Sequence, residues 1–543
     1  MFATLAAALP LAPVAASKAK IAPGDRLTAY VEARTAGALG DQGRAARLFA
    51  ALALVDPADP NLARRAVAAA IDSGDMRLAV SVARSVPVAS LGLDGRLLLV
   101  ADALRRGKSG EALTLVEGPV DNSGGGFVAP LIRAWAEQAE GRDGAARLAG
   151  FGQDTLIGPF VIEQRASMLL ASRRVEEAMP LVTQALSAAG GRETRLRLAY
   201  AAMLARAGDR DKAQALLVGN SPALKLLDLR RPQAGIAIDT PAAGFAEMLA
   251  GVAVGLTQDN QRGFPLTLAH IARHAAPANS ETTILLGLLL DRQDRHAEAL
   301  TVLSTVPAND PFIGDALDLT VRQLLSAKRG PEALARATRA AERSSAGAID
   351  QARIGNVLDE LGRHAEAADA YGRAAQLDAA RGVDGRWAWH LLRAAQLDEI
   401  DRWPEARAEL KAGLAFAPDQ PLLLNYLGYG SLERGENLEE AEKMIRRALE
   451  LRPGDPSITD SLGWALYKRG RLAEAIETLR KAATADTAET EIHEHLGDAL
   501  YRAGRRYEAR FAWRAALLTA EEDETKRIEA KIASGWTEAT AAP

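Results

Sequence analysis

Histidine, carboxylate and glycine are the residue types that could carry chemistry in this chain. His270 and His274 stand four residues apart, which places both imidazoles on one face of a helix. Metal ligation there needs a further donor, and no acidic or histidine partner accompanies the pair at ligand spacing. His493-Glu494-His495 has the residue types of a zinc-protease motif without its four-residue step. Its two imidazoles point to different sides of a helix, and His495 reads as a groove or surface residue. Gly124-Gly125-Gly126 lacks the strand–loop–helix setting of a phosphate loop and reads as a loop between repeats. Glutamates are plentiful, mostly as Glu-Ala in helical stretches, and read as a solvated face; paired catalytic carboxylates would need a pocket. The chain has 0 cysteines, which removes disulfides, thiolate metal sites, thiol nucleophiles and a cysteine lipid anchor. The expectation is a non-catalytic protein with no catalytic residue, no metal and no cofactor.

The elements that hold these residues come from a repeat. A chain of 543 residues is too long for one core, and its Ala-, Leu-, Arg- and Glu-rich composition with 5% aromatics is a helix-forming mixture. Net charge is −4 with both signs interspersed, and no basic stripe points to nucleic acid. The stretch Asp460-Ser461-Leu462-Gly463-Trp464 returns in kind at His495-Leu496-Gly497-Asp498. Each is followed by a further Gly and then by Glu-Ala. The alanine opening the second half-unit recurs at Ala299, Ala333, Ala367, Ala406, Ala441, Ala475 and Ala509. Most steps are 34; Ala406 to Ala441 is 35 and Ala367 to Ala406 is 39. A weaker series runs through Ala45, Ala79, Ala112, Ala146, Ala178 and Ala213. The phase is obscured between Ala213 and Ala299, where one unit centres near Pro265. Length over period gives about fourteen units.

The pattern resembles the tetratricopeptide repeat. The resemblance implies an all-α, right-handed α-solenoid of about fourteen helix-turn-helix repeats with a C-terminal capping helix. Small residues at the eighth and twentieth positions let the paired helices approach; larger ones would overpack. Gly470 and Gly504 end the first helices in the left-handed conformation. Pro57, Pro277, Pro311, Pro418 and Pro453 close the second helices. The expected organisation is a degenerate array over 25–220, an irregular insertion at 221–241, an array over 242–520, a charged capping helix at 521–536 and a disordered tail at 537–543.

In such repeats the first helix of each unit lines the concave surface, and the resemblance carries this onto particular residues. One unit presents Asn425, Tyr426 and Tyr429. The next presents Asp460, Ser461, Trp464, Tyr467 and Lys468. The last presents Glu494, His495, Asp498, Tyr501 and Arg502. Arg353 and Asn356 occupy like positions upstream, and Trp135 does so in the first array. Tyr429, Trp464, Tyr467 and Tyr501 are candidate aromatic anchors; the alternative is that Trp464 and Tyr467 are packed between units. Trp513, at a position between helices, reads as core. Some tetratricopeptide proteins clamp acidic chaperone tails with consecutive lysines and asparagines, and that set is missing here.

Leu424-Asn425-Tyr426-Leu427-Gly428-Tyr429, Asp460 to Trp464 and the Pro241 to Glu247 segment resemble proteobacterial envelope repeat proteins. These include the lipoprotein adaptors that deliver substrates to carboxyl-terminal processing proteases. The resemblance is best over 280–535 and departs in the missing lipidated cysteine. Met1 to Ala16 is apolar, ends in a signal-peptidase-like Val14-Ala15-Ala16 before Ser17, and lacks a basic start. Two readings stand: a truncated secretory signal, or an apolar N-terminus. The expected function is a periplasmic scaffold or adaptor holding polypeptide segments, with a protease and its substrates as partners and no nucleic acid or lipid anchor. The alternatives are a cytoplasmic assembly scaffold and a self-associating envelope component.

Overall fold

The repeat glycines set the helix spacing, and the computed structural model shows what each one faces. A Cβ on Gly463 would stand 2.5 Å from Leu479 Cγ; on Gly287, 2.7 Å from Leu303; on Gly355, 2.7 Å from Tyr371; on Gly428, 2.7 Å from Ile445. On Gly497 it would run into the Trp513 indole. Every one of these neighbours sits on the second helix of the same hairpin, so glycine is the residue that lets the two axes close up. The structure describes residues 25–117, 128–151, 158–219, 221–258, 263–343, 346–381 and 387–542. The apolar N-terminal segment and Gly124 to Gly126 lie outside these residues.

Among the described residues the chain is all-helical, with 30 α-helices packed on their neighbours as hairpins in the manner of a tetratricopeptide solenoid. Gly470 and Gly504 turn the chain between paired helices at φ +76° and +79°. In weaker repeats Arg173, Asp294, Lys328 and Asp401 make the same turn at 59°, 59°, 56° and 58°. Just after this turn runs a regularity that the Glu-Ala pattern only half revealed. Arg174, Arg295, Arg329, Arg363, Arg402, Arg471 and Arg505 each pair with a glutamate three residues on. Those glutamates sit in the first turn of the second helix, where the helix dipole favours acid. Pro57, Pro277, Pro418 and Pro453 follow helices that end at Val55, Ala275, Phe416 and Leu451. Pro311 differs: its preceding helix stops at Leu303, and Pro311 instead leads into the helix Ile313–Ser326.

The chain forms two compact units, residues 1–327 and 328–543. In the first, the helices Pro241–Gln258 and Phe264–Ala275 fold back onto earlier ones. Phe264–Ala275 packs on Pro60–Asp72 and Leu93–Arg105, and Pro241–Gln258 packs on Leu93–Arg105 and Ala129–Ala139. Polar contacts fix the closure: Arg295 donates to Asp72 Oδ1 at 2.7 Å, and His274 Nε2 lies 3.3 Å from Asp102 Oδ1. The stretch 221–241, read from sequence as an insertion between two arrays, is inside this unit. It carries the short helix Pro222–Leu226 and buries Ile236 and Ile238. Arg195 donates to the Ile236 carbonyl at 2.5 Å and the Gly235 carbonyl at 3.2 Å. Arg195 is itself held by Glu247, which also accepts from Arg192 and Asn279.

In the second unit successive hairpins stack, and first helices touch across units: Pro421–Glu433 on Pro456–Lys468, and Pro456–Lys468 on Thr490–Arg502. The helix Glu522–Ser534 lies over the last hairpin, and Lys531 is fully buried beneath it. Residues 537–543 carry an expectation of disorder from sequence. Here they include a 3-10 turn at Glu538–Thr540, and the Ala542 amide donates to Asp498 at 3.1 Å.

Candidate functional site

Three first helices of the second unit, Pro421–Glu433, Pro456–Lys468 and Thr490–Arg502, face one cavity of about 480 Å³. Asn425, Tyr426 and Tyr429 come from the first, Asp460 and Ser461 from the second, and Glu491 and Ile492 from the third. Leu391, Leu422, Ser457 and Glu489 complete the wall. The i, i+1 and i+4 spacing of Asn425, Tyr426 and Tyr429 puts all three on one side of their helix. Five of the groove positions that the family resemblance implies thus lie in the wall of the cavity. The resemblance missed Glu489 and Glu491, which open the next helix; a dipole-favoured acid at a helix start was the only signal they offered.

The polar groups of the wall are unevenly satisfied. Tyr429 donates to Glu491 Oε1 at 2.6 Å, and Tyr426 to Asp398 Oδ2 at 3.3 Å. Ser461 donates to the Ser457 carbonyl at 3.0 Å. Asp460 is 5% exposed; its Oδ2 accepts from His495 Nδ1 at 2.8 Å, and its Oδ1 is buried without a hydrogen-bond partner. Asn425 Oδ1 is likewise buried without one. Burial pushes the His495 imidazole down, but Asp460, Glu491 and Asp498 outweigh it and hold its pKa above the ordinary value. Burial, followed by Asp486, Glu491, Glu524 and Asp460, raises the Glu489 carboxyl.

The remaining candidates lie elsewhere. Trp464 and Tyr467 are packed between units, 1% and 3% exposed. Their rings stack at 4.4 Å, and the His495 ring covers Trp464 at 3.9 Å. Trp464 donates to Glu433 at 2.5 Å, and Lys468 to the same carboxylate at 3.3 Å. A groove position next to a neighbouring repeat becomes an inter-repeat position when its ring is long enough to reach across. Glu494, His495 and Asp498 are fully buried. Arg527 and Lys531 of the capping helix bind Glu494, and Lys531, Trp513 and Trp536 donate to Asp498 at 2.8, 2.9 and 3.1 Å. Burial pushes Glu494 up, but Arg527 and Lys531 outweigh it and leave it below the usual carboxylate value; burial wins at Asp498, which is raised. Tyr501 sits at 5.5 Å from the Trp513 ring, and Arg502 lies over the Tyr467 and Trp536 rings. The helix Glu522–Ser534 directly follows this hairpin and takes up these groove positions as a cap.

Arg353 is buried and donates to Asp350 at 2.7 Å, while exposed Asn356 accepts from Tyr371 at 2.7 Å. Trp135 is buried in the first unit, donating to Gln164 at 2.8 Å against the backbone of Gly244. Trp513 is buried, as its position between helices implied. His270 is buried with Nε2 unpartnered, and burial beside Arg295 and Arg273 pushes its pKa down to about 3.

Residues 351–381 match one tetratricopeptide-repeat model, and residues 430–490 and 461–524 match another. These segments are tetratricopeptide repeats. They include two of the three helices around the cavity, Pro456–Lys468 and Thr490–Arg502, and the match over these begins at residue 430, after Asn425, Tyr426 and Tyr429 of Pro421–Glu433. The chain is 42% identical over 74 residues to the TPR repeat-containing protein PA4667 of Pseudomonas aeruginosa. That match covers 14% of this chain and spans only 12% of the relative. Among solved structures, the APC/C heterotetramer Cut9–Hcn1 aligns over 94% of this chain and 96% of its own, at 14% identity and TM-score 0.37. YrrB, a TPR protein with an unusual peptide-binding site, aligns over 34% of this chain and 93% of its own, at 19% identity and TM-score 0.27.

Proposed function

We propose that this protein is a non-catalytic protein–protein interaction scaffold whose second unit holds polypeptide segments in the concave cavity at Asn425, Tyr426, Tyr429 and Asp460. The observation that carries this is convergence. First helices of three successive repeats put a half-buried apolar wall and unpaired acceptors on one hollow. A hollow of this size, apolar with a few placed polar groups, is the usual form of a recognition site. An extended chain brings main-chain donors to such acceptors at every second residue. Binding along several repeats adds up through effective concentration, so each contact need only be weak.

The finer reading is an adaptor in a bacterial envelope that presents substrates to a protease. It is supported by the apolar start of the sequence and by the envelope-type motifs at Leu424 to Tyr429 and Asp460 to Trp464. Crosslinked affinity purification from the native cell tests both levels, comparing the wild type with Asn425→Ala/Tyr426→Ala. Envelope polypeptides, a protease among them, recovered with wild type and lost with the variant are the expected result. The same partners retained by a folded variant would move the site elsewhere, and cytosolic partners would refute the envelope assignment.

A further inference from the structure

The cavity wall of the second unit is chemically one-sided. Its ionisable carboxylates are Asp460, Glu489 and Glu491, and among the described residues no lysine or arginine lines it. The imidazole of His495 stands behind Asp460, its Nδ1 2.8 Å from Oδ2 and its Nε2 3.7 Å from Glu491 Oε1. The other oxygen of the buried Asp460 carboxylate has no donor, and neither has the buried Oδ1 of Asn425, a second residue of the wall; a small side-chain rotation brings either to the hollow. A buried acceptor left unpaired costs on the order of 1–3 kcal/mol, so the wall favours any occupant that arrives with donors. Around these acceptors the surface is apolar: Leu391, Leu422, Tyr426 and Ile492.

Those two properties select among occupants. A carboxylate or phosphate would meet three carboxylates with only the His495 imidazole set against them. An aliphatic or aromatic side chain would cover the apolar wall and leave both acceptors unsatisfied. Lysine and arginine carry only donors at the tip and a methylene stem behind it, so they match wall and floor together. Burial first, and then Asp486, Glu491, Glu524 and Asp460, raise the Glu489 carboxyl, and a cation beside it would offset that crowding of acids.

We propose that this cavity receives a lysine or arginine side chain of a partner polypeptide, with Asp460 and Asn425 accepting from its cationic head. The inference rests on the reading that the concave face binds polypeptide, and the experiment separates the two. Full-length protein is titrated into rhodamine-labelled dodecapeptides of Gly, Ser and Ala that differ only at three positions, set to Arg, Lys, citrulline or Glu. Charge-assisted hydrogen bonds imply that the Arg and Lys peptides bind roughly tenfold or more tightly than the citrulline and Glu peptides. Asp460→Asn and Glu491→Gln each remove most of that advantage, while Asp419→Asn, an exposed carboxylate paired with Arg447 outside the cavity, leaves it intact. Glu491 is more exposed than Asp460, so its variant tests the idea even where Asp460→Asn unfolds the repeat. Equal binding of all four peptides overturns the cationic preference and leaves the scaffold reading standing. Failure of every peptide to bind overturns both. Spermidine that displaces the Arg peptide, with an affinity above that of the peptide itself, overturns the polypeptide as the source of the cation.

Discussion

Lys531 is the residue on which the end of the second unit turns. It is fully buried, and its ammonium lies 2.7 Å from Glu494 and 2.8 Å from Asp498. Removing one partner of a buried ion pair leaves uncompensated charge, so Lys531→Met should cost roughly 3–5 kcal/mol. Hydrogen exchange over residues 490–536 of the full chain reads this loss as collapsed protection. Unchanged protection would mean that the cap does not hold the last repeat. Two histidines make opposite demands on pH. The folded state keeps the His495 proton where an unfolded chain has released it. Its contribution is complete below the ordinary value of 6.5 and is lost as pH rises through the elevated folded value. His270 is pushed down to about 3, so the unfolded chain binds the proton first and stability falls as pH drops from 6.5 toward that value. Wild type should therefore lose its margin over His495→Asn on the alkaline side, while His270→Leu should flatten the acid side. Denaturation midpoints followed from about pH 5 to about pH 9 check the first sign, and midpoints below about pH 6 the second. At this scale the sequence was legible in part. The family resemblance, carried onto the repeat, picked out Asn425, Tyr426, Tyr429, Asp460 and Ser461, which line the cavity. It could not show that Trp464 and Tyr467 reach across to the next repeat, because reach depends on the rotamer and the neighbour's surface.

The hairpin is set by its small residues. Leu479 fills the space that a Gly463 side chain would need, so Gly463→Ala should destabilise the second unit by roughly 1–3 kcal/mol through overpacking. Gly470→Ala meets no neighbour within 4 Å, and its cost is only that of a left-handed backbone, about 1–2 kcal/mol. Leu479→Ala should cost less when added to Gly463→Ala, where it also relieves the clash, than when added to Gly470→Ala, where it only opens a cavity. Urea denaturation of the four variants decides this, and equal responses would show that the helix approach does not depend on Gly463. The period, the glycines and most closing prolines were readable because each answers a local steric demand. The recurring Arg and Glu three apart were less so. Apart from that of Arg295, each such pair is exposed and stabilises little, so it leaves a regular trace without dominating the pattern.

At the scale of the molecule, the repeat predicts nearest-neighbour stacking, and this describes the second unit. The first also closes on itself, through Phe264–Ala275 against Pro60–Asp72 and Leu93–Arg105. A period cannot report such long-range closure, because it repeats the local hairpin and says nothing about where distant hairpins meet. The buried Arg195–Glu247 pair and the Arg295–Asp72 contact were therefore invisible in the alanine series. Two compact units at 1–327 and 328–543 imply that fragments 25–327 and 328–543 each fold, while 25–220 alone loses the helices that cover its core. Circular dichroism melts should show cooperative unfolding of the first two and none for the third. A cooperative melt of 25–220 would mean that the early hairpins are self-sufficient.

The concave cavity of the second unit is proposed to hold polypeptide. A photo-crosslinking amino acid at position 425, compared with one at exposed Lys443 on the helix Leu438–Leu451, tests it most directly in the native cell. The account predicts polypeptide adducts from position 425, depleted by Asp460→Asn, with few from position 443. Adducts of equal yield from both positions, or none from 425, would contradict it.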